Sequence, residues 1–280
     1  MKLITSLIVT FALTSGLSHS MAAGSELERG AYIVRSVAAC GNCHSPLGPD
    51  GPVPGQELSG RFVIKMPIFE AWASNITPAA IGNWTDAEVG RAIREGIRPD
   101  GSLIGPPMPI ELYRDLSDSD VGAIVAYLRS VPAVENTVPR STYNIPLPES
   151  YGPPVANVAP VPEGETAEYG AYLAGPVAHC IECHTPMVEG HFDFEHQLGA
   201  GGRAFEGSWG ISVSANLTPH PDGLARWTDD EVISMIRTGK RPDGSPMSPP
   251  MGFAFYAGMT DRDARAIVAY LRTLPARQTP

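Results

Sequence analysis

Cys40-Gly41-Asn42-Cys43-His44 returns later in the chain as Cys180-Ile181-Glu182-Cys183-His184, and the two copies use all four cysteines of the sequence. C-x-x-C-H is the attachment motif of c-type haem. On a helical turn, residues i and i+3 lie on one face, so the two thiols of each copy can add to the two vinyl groups of a single porphyrin. The histidine that follows is placed under the iron. Covalent tethering through Cys40 and Cys43, or Cys180 and Cys183, and axial ligation through His44 or His184 thus come from one five-residue unit.

Other uses of C-x-x-C fit less well. A thioredoxin-like redox pair sits in a βαβ pattern, and no run of alternating β-branched residues precedes either copy. A zinc knuckle needs further Cys or His at short spacing, which the first copy lacks. A disulfide gives no reason for a histidine after the second cysteine, twice. The pattern resembles the cytochrome c family, and two copies imply a dihaem member with two haem c groups, and their irons, as cofactors.

The N-terminus carries an export pattern. Met1-Lys2 is a short positive start, Leu3 to Leu13 is an apolar run too short to span a bilayer, and Ser20-Met21-Ala22 offers small residues for cleavage. Residues 1–22 are therefore expected to be a signal peptide, with no cysteine after the apolar run for lipidation. Signal and motif agree on a periplasmic address. No later stretch approaches the ~20 apolar residues of a membrane helix, so no membrane span is expected and any membrane association would come through a partner. The formal net charge of −10, shared almost evenly by the two halves, argues against nucleic acid or an anionic membrane as a partner.

The chain is internally duplicated. Gly30-Ala31-Tyr32 recurs as Gly170-Ala171-Tyr172 and Asn75-Ile76-Thr77-Pro78 as Asn216-Leu217-Thr218-Pro219. Trp84-Thr85-Asp86, Arg98-Pro99-Asp100-Gly101-Ser102 and Ile124 to Arg129 recur as Trp227-Thr228-Asp229, Arg241-Pro242-Asp243-Gly244-Ser245 and Ile267 to Arg272. The expected fold is all-α: two tandem cytochrome c-like modules, 23–133 and 164–280, each with about three main helices and long loops around one covalently bound haem c.

In each module a first helix, 26–38 or 166–178, delivers the attachment motif. Capping boxes start a second at Thr85 and Thr228, ending at Gly96 and Gly239. A third runs from Ser117 to about Arg129, or from Thr260 to about Arg272, with Ile124, Val125 and Leu128 (Ile267, Val268 and Leu271) as its buried stripe. No credible sheet is read. The porphyrin supplies much of each core, so folding is expected to require haem. Between the modules, 134–163 reads as a Pro-rich, extended linker, with Tyr143, Ile145, Leu147 and Tyr151 suggesting that it packs rather than swings.

The sixth ligand decides the chemistry. Met108, in Gly105-Pro106-Pro107-Met108-Pro109, is the first candidate because prolines stiffen the loop that must hold a weak thioether bond; its repeat is Met251 of Pro249-Pro250-Met251. Met247 is matched by Ile104, which cannot ligate, and Met66 has no methionine twin. Arg61, Arg203, Trp84 and Trp227 recur in loops beside the motifs and are candidate donors to haem propionates; for the tryptophans a hydrophobic staple at the helix start is an equal reading. The two Asn-x-Thr sites shape a loop rather than carry glycan. His191, Asp193, Glu195 and His196 form an unduplicated cluster after the second motif, with His179 ahead of it; they could bind a metal or a partner or offer an alternative ligand, and a solvated loop is the better reading.

These motifs together, spread over nearly the whole chain after residue 22, look like the cytochrome subunits of periplasmic dehydrogenases of alcohols, gluconate and similar substrates. That resemblance implies ligation by His44 with Met108 and His184 with Met251. It also implies electron flow in a respiratory chain, from a dehydrogenase donor to a cytochrome, a terminal oxidase or quinone. It departs from those subunits in having two haem motifs where they typically have three. The expected role is an electron carrier with no catalytic residues. A dihaem enzyme with one open iron, peroxidase-like or thiosulfate-oxidising, is the alternative, and near-equal halves favour the carrier.

Overall fold

The computed structural model describes residues 25–48, 51–207 and 209–280, so the signal-peptide reading falls outside the described residues. The first half runs through helix α1 (25–32), a π turn (Ile33–Val37), α2 (Cys40–His44), β1 (Leu47–Gly48), β2 (Gly51–Pro52), β3 (Arg61–Met66) and β4 (Phe69–Ala73). It continues with α3 (Pro78–Ile81), α4 (Asp86–Arg94), α5 (Ile110–Tyr113), α6 (Asp118–Ser130) and β5 (Thr142–Tyr143). The second half repeats the order: α7 (Ala167–Tyr172), a π turn (Leu173–Val177), α8 (Cys180–Cys183), β6 (Met187–Val188), β7 (His191–Phe192), β8 (Ala204–Gly207) and β9 (Gly210–Val213). A short 3-10 turn (Leu224–Arg226), α9 (Asp229–Thr238), α10 (Phe253–Tyr256) and α11 (Asp261–Thr273) complete it.

The helix starts follow local chemistry. Thr85 accepts from the Glu88 N–H while the Glu88 carboxylate accepts from the Thr85 N–H, and Thr228 with Glu231 repeats the box. Ser117 and Thr260 cap α6 and α11 through the N–H groups of Asp120 and Asp263. The stripe read from the third helix is buried: Ile124, Val125 and Leu128 in α6, Ile267, Val268 and Leu271 in α11.

The first helix of each half is not one regular helix. After α1 and α7 the backbone opens into a π turn, closed by Ala38 N–H to the Ile33 carbonyl at 2.9 Å and Ala178 N–H to Leu173 at 2.7 Å. A left-handed residue follows, Ala39 at φ 49° and His179 at φ 44°, and then the attachment turn. Widening followed by reversal re-aims the chain, so that the cysteines sit on a turn of different direction from the helix that delivers it.

The all-α expectation holds only in part: helices are substantial, but among the described residues four small antiparallel sheets also form. The largest pairs β3 with β4 and β4 with β5. On β4, buried Phe69, Ala71 and Ala73 alternate with half-buried Glu70 and Trp72, the period of a strand with one inner face. The linker joins this sheet through β5 instead of remaining purely extended chain. It also docks by Tyr151 Oη to the Ile104 carbonyl at 2.9 Å and by Asp118 N–H to the Val158 carbonyl at 2.9 Å.

The halves meet around the two π turns. Ile33–Val37 packs on α10, Leu173–Val177 packs on α5, and the turns touch each other. Tyrosines of the repeated Gly-Ala-Tyr reach across reciprocally. Tyr32 Oη donates to Asp263 at 2.8 Å and accepts from the Thr260 N–H at 3.1 Å. Tyr172 Oη donates to Asp120 at 2.7 Å and accepts from the Ser117 N–H at 3.1 Å. Each half therefore completes the cap of the other's C-terminal helix.

Candidate haem-attachment sites

Both proximal histidines are oriented in the same way. His44 Nδ1 lies 2.7 Å from the Ser74 carbonyl and His184 Nδ1 lies 2.7 Å from the Ala215 carbonyl. A carbonyl only accepts, so Nδ1 carries the proton and Nε2 keeps its lone pair for a metal. Burial holds both imidazoles below the ordinary histidine pKa, against the carbonyl contact that raises it. Both rings are therefore neutral ligands at neutral pH.

The carbonyls are placed by the strand and the loop that follows. Ser74 and Ala215 come just after β4 and β9 and before the repeated Asn-x-Thr-Pro. There Asn75 and Asn216 are buried; their side-chain oxygens accept from the N–H of Thr77 at 2.9 Å and of Thr218 at 2.8 Å. These asparagines shape the loop, as expected. The histidine carbonyls accept from Gly60 N–H at 2.6 Å and Gly201 N–H at 2.8 Å. Both glycines have positive φ, 84° and 72°, and a Cβ on either would stand 2.6 Å from backbone atoms at the end of the strand or just after it; only glycine fits that approach.

Two thiols on one turn beside such an imidazole are the donor set that a covalently attached haem c requires. Burial pushes the Cys40 thiol up to about 12, with Cys43 adding to it, and Cys180 up to about 11. A redox-active C-x-x-C pair has a depressed value, the opposite direction. Among the described residues no group of three His, Cys, Asp or Glu side chains is arranged to hold a metal ion.

Arg61 and Arg203 lie at the attachment turns. Arg61 Nη2 donates to the Asn42 carbonyl at 2.7 Å and Arg203 Nη1 to the Glu182 carbonyl at 2.6 Å, the same position in each motif. Arg61 Nε is buried with no hydrogen-bond partner among the described residues. Trp84 and Trp227 immediately precede the capping threonines and pack half-buried on the core. Their carbonyls accept from Arg129 and Arg272, while their indole N–H groups bond to nothing among the described residues.

Met108 and Met251 are half-buried against the core, each following a cis Pro-Pro bond. Met66, by contrast, is exposed on β3. The helices after the methionine loops face the attachment turns: Tyr113 is raised by burial and then by Cys40 and Cys43, Tyr256 by burial and then by Cys180 and Cys183. The two turns are also near each other. Asn42 Nδ2 donates to the Pro250 carbonyl at 3.3 Å and the Tyr113 and His179 rings meet edge-on at 5.9 Å. Burial raises the Cys183 thiol to about 12, with Glu182 adding and, more weakly, Cys43 from the other motif.

The unduplicated cluster stays on the surface. His196 pairs with Asp193 at 3.0 Å and His191 is exposed on β7. Residues that pattern reasoning missed are the carbonyls of Ser74 and Ala215, which have no side-chain signature. It also missed the partners of Tyr32 and Tyr172, although the repeated Gly-Ala-Tyr was the available signal.

Comparison with known proteins agrees with this geometry. Residues 167–275 match the cytochrome c family. The chain is similar to the fructose dehydrogenase cytochrome subunit of Gluconobacter japonicus, 32% identical over 90% of this chain and 53% of that protein. It is similar to the cytochrome c subunit of the quinone alcohol dehydrogenase of Gluconobacter oxydans, 30% identical over 95% and 58%. A protein named diheme cytochrome c-type from Cereibacter sphaeroides is 28% identical over 85% of this chain and 82% of its own length. The chain thus spans little more than half of the two dehydrogenase subunits. No helix among the described residues is long and apolar enough to cross a membrane.

Proposed function

We propose, from the premise that this chain belongs to the cytochrome c family, that it is a periplasmic electron-transfer protein carrying two haem c groups. It takes single electrons from a dehydrogenase and passes them to a downstream cytochrome, oxidase or quinone. The observation that supports this most is the duplication of one ligand geometry: two imidazoles, each with Nδ1 committed to a backbone carbonyl and Nε2 free.

Haem c, when bound, supplies reversible one-electron chemistry at its iron. The chain's own residues fix where that happens. Cys40, Cys43, Cys180 and Cys183 tether the groups, and His44 and His184 offer Nε2 in a fixed tautomer. Met108 and Met251 would hold the irons through their thioether sulfurs, and histidine with methionine raises the potential relative to two histidines. Arg61 and Arg203 hold the attachment turns by their carbonyls and, with Trp84 and Trp227, present N–H donors to propionates. The boundaries are two modules, 23–133 and 164–280, joined by the strap 134–163 after removal of residues 1–22.

The test is spectroscopic. Pyridine haemochrome stoichiometry should give two haems per chain, the reduced protein should be low-spin and unresponsive to carbon monoxide, and the oxidised protein should show the near-infrared sulfur-to-iron band. Met108→Leu and Met251→Leu should each remove about half of that band, as one of two equal sites. A high-spin fraction that binds carbon monoxide would favour the dihaem enzyme instead.

A further inference from the structure

The loop that carries Met108 has little means of fixing itself. Between Gly105 and Met108 stand Pro106 and Pro107, which have no N–H to give. The loop's own backbone bonds run from the Ile104 N–H to the Gly96 carbonyl at 2.7 Å and, more loosely, from the Met108 N–H to the Gly105 carbonyl at 3.4 Å. A neutral thioether is a weak donor of electrons, so the loop that presents it needs holding from outside.

The strap between the halves supplies that hold. Tyr143 Oη donates to the Pro106 carbonyl at 3.1 Å and Tyr151 Oη to the Ile104 carbonyl at 2.9 Å. The fit is close: a Cβ on Gly105 would stand 2.7 Å from Tyr143 Cζ and 2.8 Å from Leu147 Cδ2, and one on Gly96 would stand 3.0 Å from the Tyr151 ring. Arg140 pins the turn before the loop, with Nη2 donating to Asp100 at 2.6 Å and Nη1 to Ser102 Oγ at 3.0 Å. Burial, with Tyr143 adding to it, pushes the Tyr151 phenol up to about 12, so it stays a donor well above neutral pH.

The same strap is tied to the histidine side. Tyr143 lies opposite Phe69 on β4, and Ser141 Oγ accepts from the Trp72 N–H at 2.9 Å and donates to the Trp72 carbonyl at 3.2 Å. Two residues on, the Ser74 carbonyl fixes His44. One segment, 140–151, therefore holds both the strand that orients the histidine and the loop that presents the methionine. The Met251 loop is held by other groups: Ser212 Oγ donates to the Pro249 carbonyl at 2.5 Å and Asn42 Nδ2 to the Pro250 carbonyl at 3.3 Å.

We infer that Tyr143 and Tyr151 are positioning residues for the methionine ligand of the first haem: their hydroxyls hold the Pro106 and Ile104 carbonyls so that the Met108 sulfur stays at the iron. The inference rests on the ligand reading above and adds to it the groups that keep one of the two sulfurs in place. A strap that only covered the module would change its melting and not its ligand.

The test isolates one sulfur at a time in the haem-loaded protein. In a Met251→Leu background the remaining near-infrared sulfur-to-iron band belongs to Met108, and imidazole titrated into the oxidised protein competes with that sulfur and removes the band. Tyr143→Phe and Tyr151→Phe should each lower the imidazole concentration at half loss by about fivefold, the worth of one hydrogen bond, with the far-ultraviolet circular dichroism unchanged before addition. In a Met108→Leu background the same changes should leave the midpoint of the Met251 band where it was. Arg140→Gln keeps both tyrosines and should lower the Met108 midpoint by about twofold; it carries the test if the tyrosine variants misfold. An unchanged Met108 midpoint in the folded variants, or equal shifts in the two backgrounds, overturns the inference and leaves the ligand reading standing. A parent protein without the band, or a band that survives Met108→Leu and Met251→Leu together, overturns the ligand reading and the inference with it.

Discussion

Alanine at Gly30 or Gly170 sets two effects of known size against each other. Both glycines lie inside helices, where alanine is favoured by about 1 kcal/mol. Both also lie where helices cross. A Cβ on Gly30 would stand 1.9 Å from the Ala123 carbonyl oxygen and 2.9 Å from Tyr127 Cβ; on Gly170, 1.8 Å from Ala266 and 2.9 Å from Tyr270 Cβ. An ordinary carbon–oxygen contact is about 3.3 Å, so α1 must retreat from α6, and α7 from α11, by more than an ångström. The obstructing atoms are backbone, which no rotamer change can move. Overpacking costs about 1–3 kcal/mol and more when backbone must shift, so the clash should outweigh propensity and leave each variant about 2 kcal/mol less stable. For a chain of this size that is a fall in Tm of about 4–8 °C, read by far-ultraviolet circular dichroism on the haem-loaded protein. Gly122, in the middle of α6, is the control: its Cβ would meet only the tip of the Glu26 side chain, at 3.2 Å, so Gly122→Ala should melt at or slightly above the parent. If Gly30→Ala and Gly170→Ala behave like Gly122→Ala, the crossing described here is wrong.

Tyr172→Phe should cost about 1–2 kcal/mol in denaturant unfolding, because it leaves the buried Ser117 N–H without its acceptor; Tyr32→Phe should cost less, its contacts being more exposed. Thr85→Ala and Thr228→Ala should each cost about 1 kcal/mol and match within a few tenths, since the two capping boxes have the same bonds. Replacing Cys40 and Cys43 together by serine should leave one haem per chain by haemochrome assay, and the same change at Cys180 and Cys183 should do likewise; two haems surviving either change would refute the attachment assignment. Withholding haem during synthesis should give a chain without cooperative thermal unfolding, and a sharp melt of the haem-free protein would contradict the part assigned to the porphyrin in the core.

Legibility in the sequence followed locality. Thr85 with Glu88, Ser117 with Asp120 and the apolar stripe of α6 are written within a few residues, and all stand where pattern placed them. The π turns were not legible, because one added residue per turn shifts the 3.6-residue period too little over five positions. The hairpin of β3 and β4 was passed over although Phe62 to Ala73 is rich in β-branched and aromatic residues: Met66-Pro67 drew attention as a ligand candidate when it marks the turn region. The proximal histidines were plain, but the carbonyls that set their tautomer belong to Ser74 and Ala215, whose side chains have no part in the contact. For Tyr32 and Tyr172 the repeat was visible while their purpose was not, since each acts on a helix more than fifty residues away, in the other half.

That exchange of tyrosines explains why the halves have stayed alike where they touch. A hydroxyl that completes the partner's cap is useful only if the partner keeps its serine or threonine and its aspartate, so Tyr32 with Asp263 and Tyr172 with Asp120 constrain one another across the duplication. Where symmetry breaks, the chemistry is compensated. Asp120 is matched by Arg29 at 2.8 Å, yet the twin of Arg29 is Tyr169, and Asp263 takes its cation from the adjacent Arg262 at 3.0 Å. Glu163, arriving from the linker, then bridges both cations, at 3.4 Å to Arg29 and 2.7 Å to Arg262. Buried carboxylates are stable only when paired, so each aspartate had to keep a cation by some route. The result is an interface with few independent parts, which fixes the two attachment turns relative to each other through the helices that deliver them.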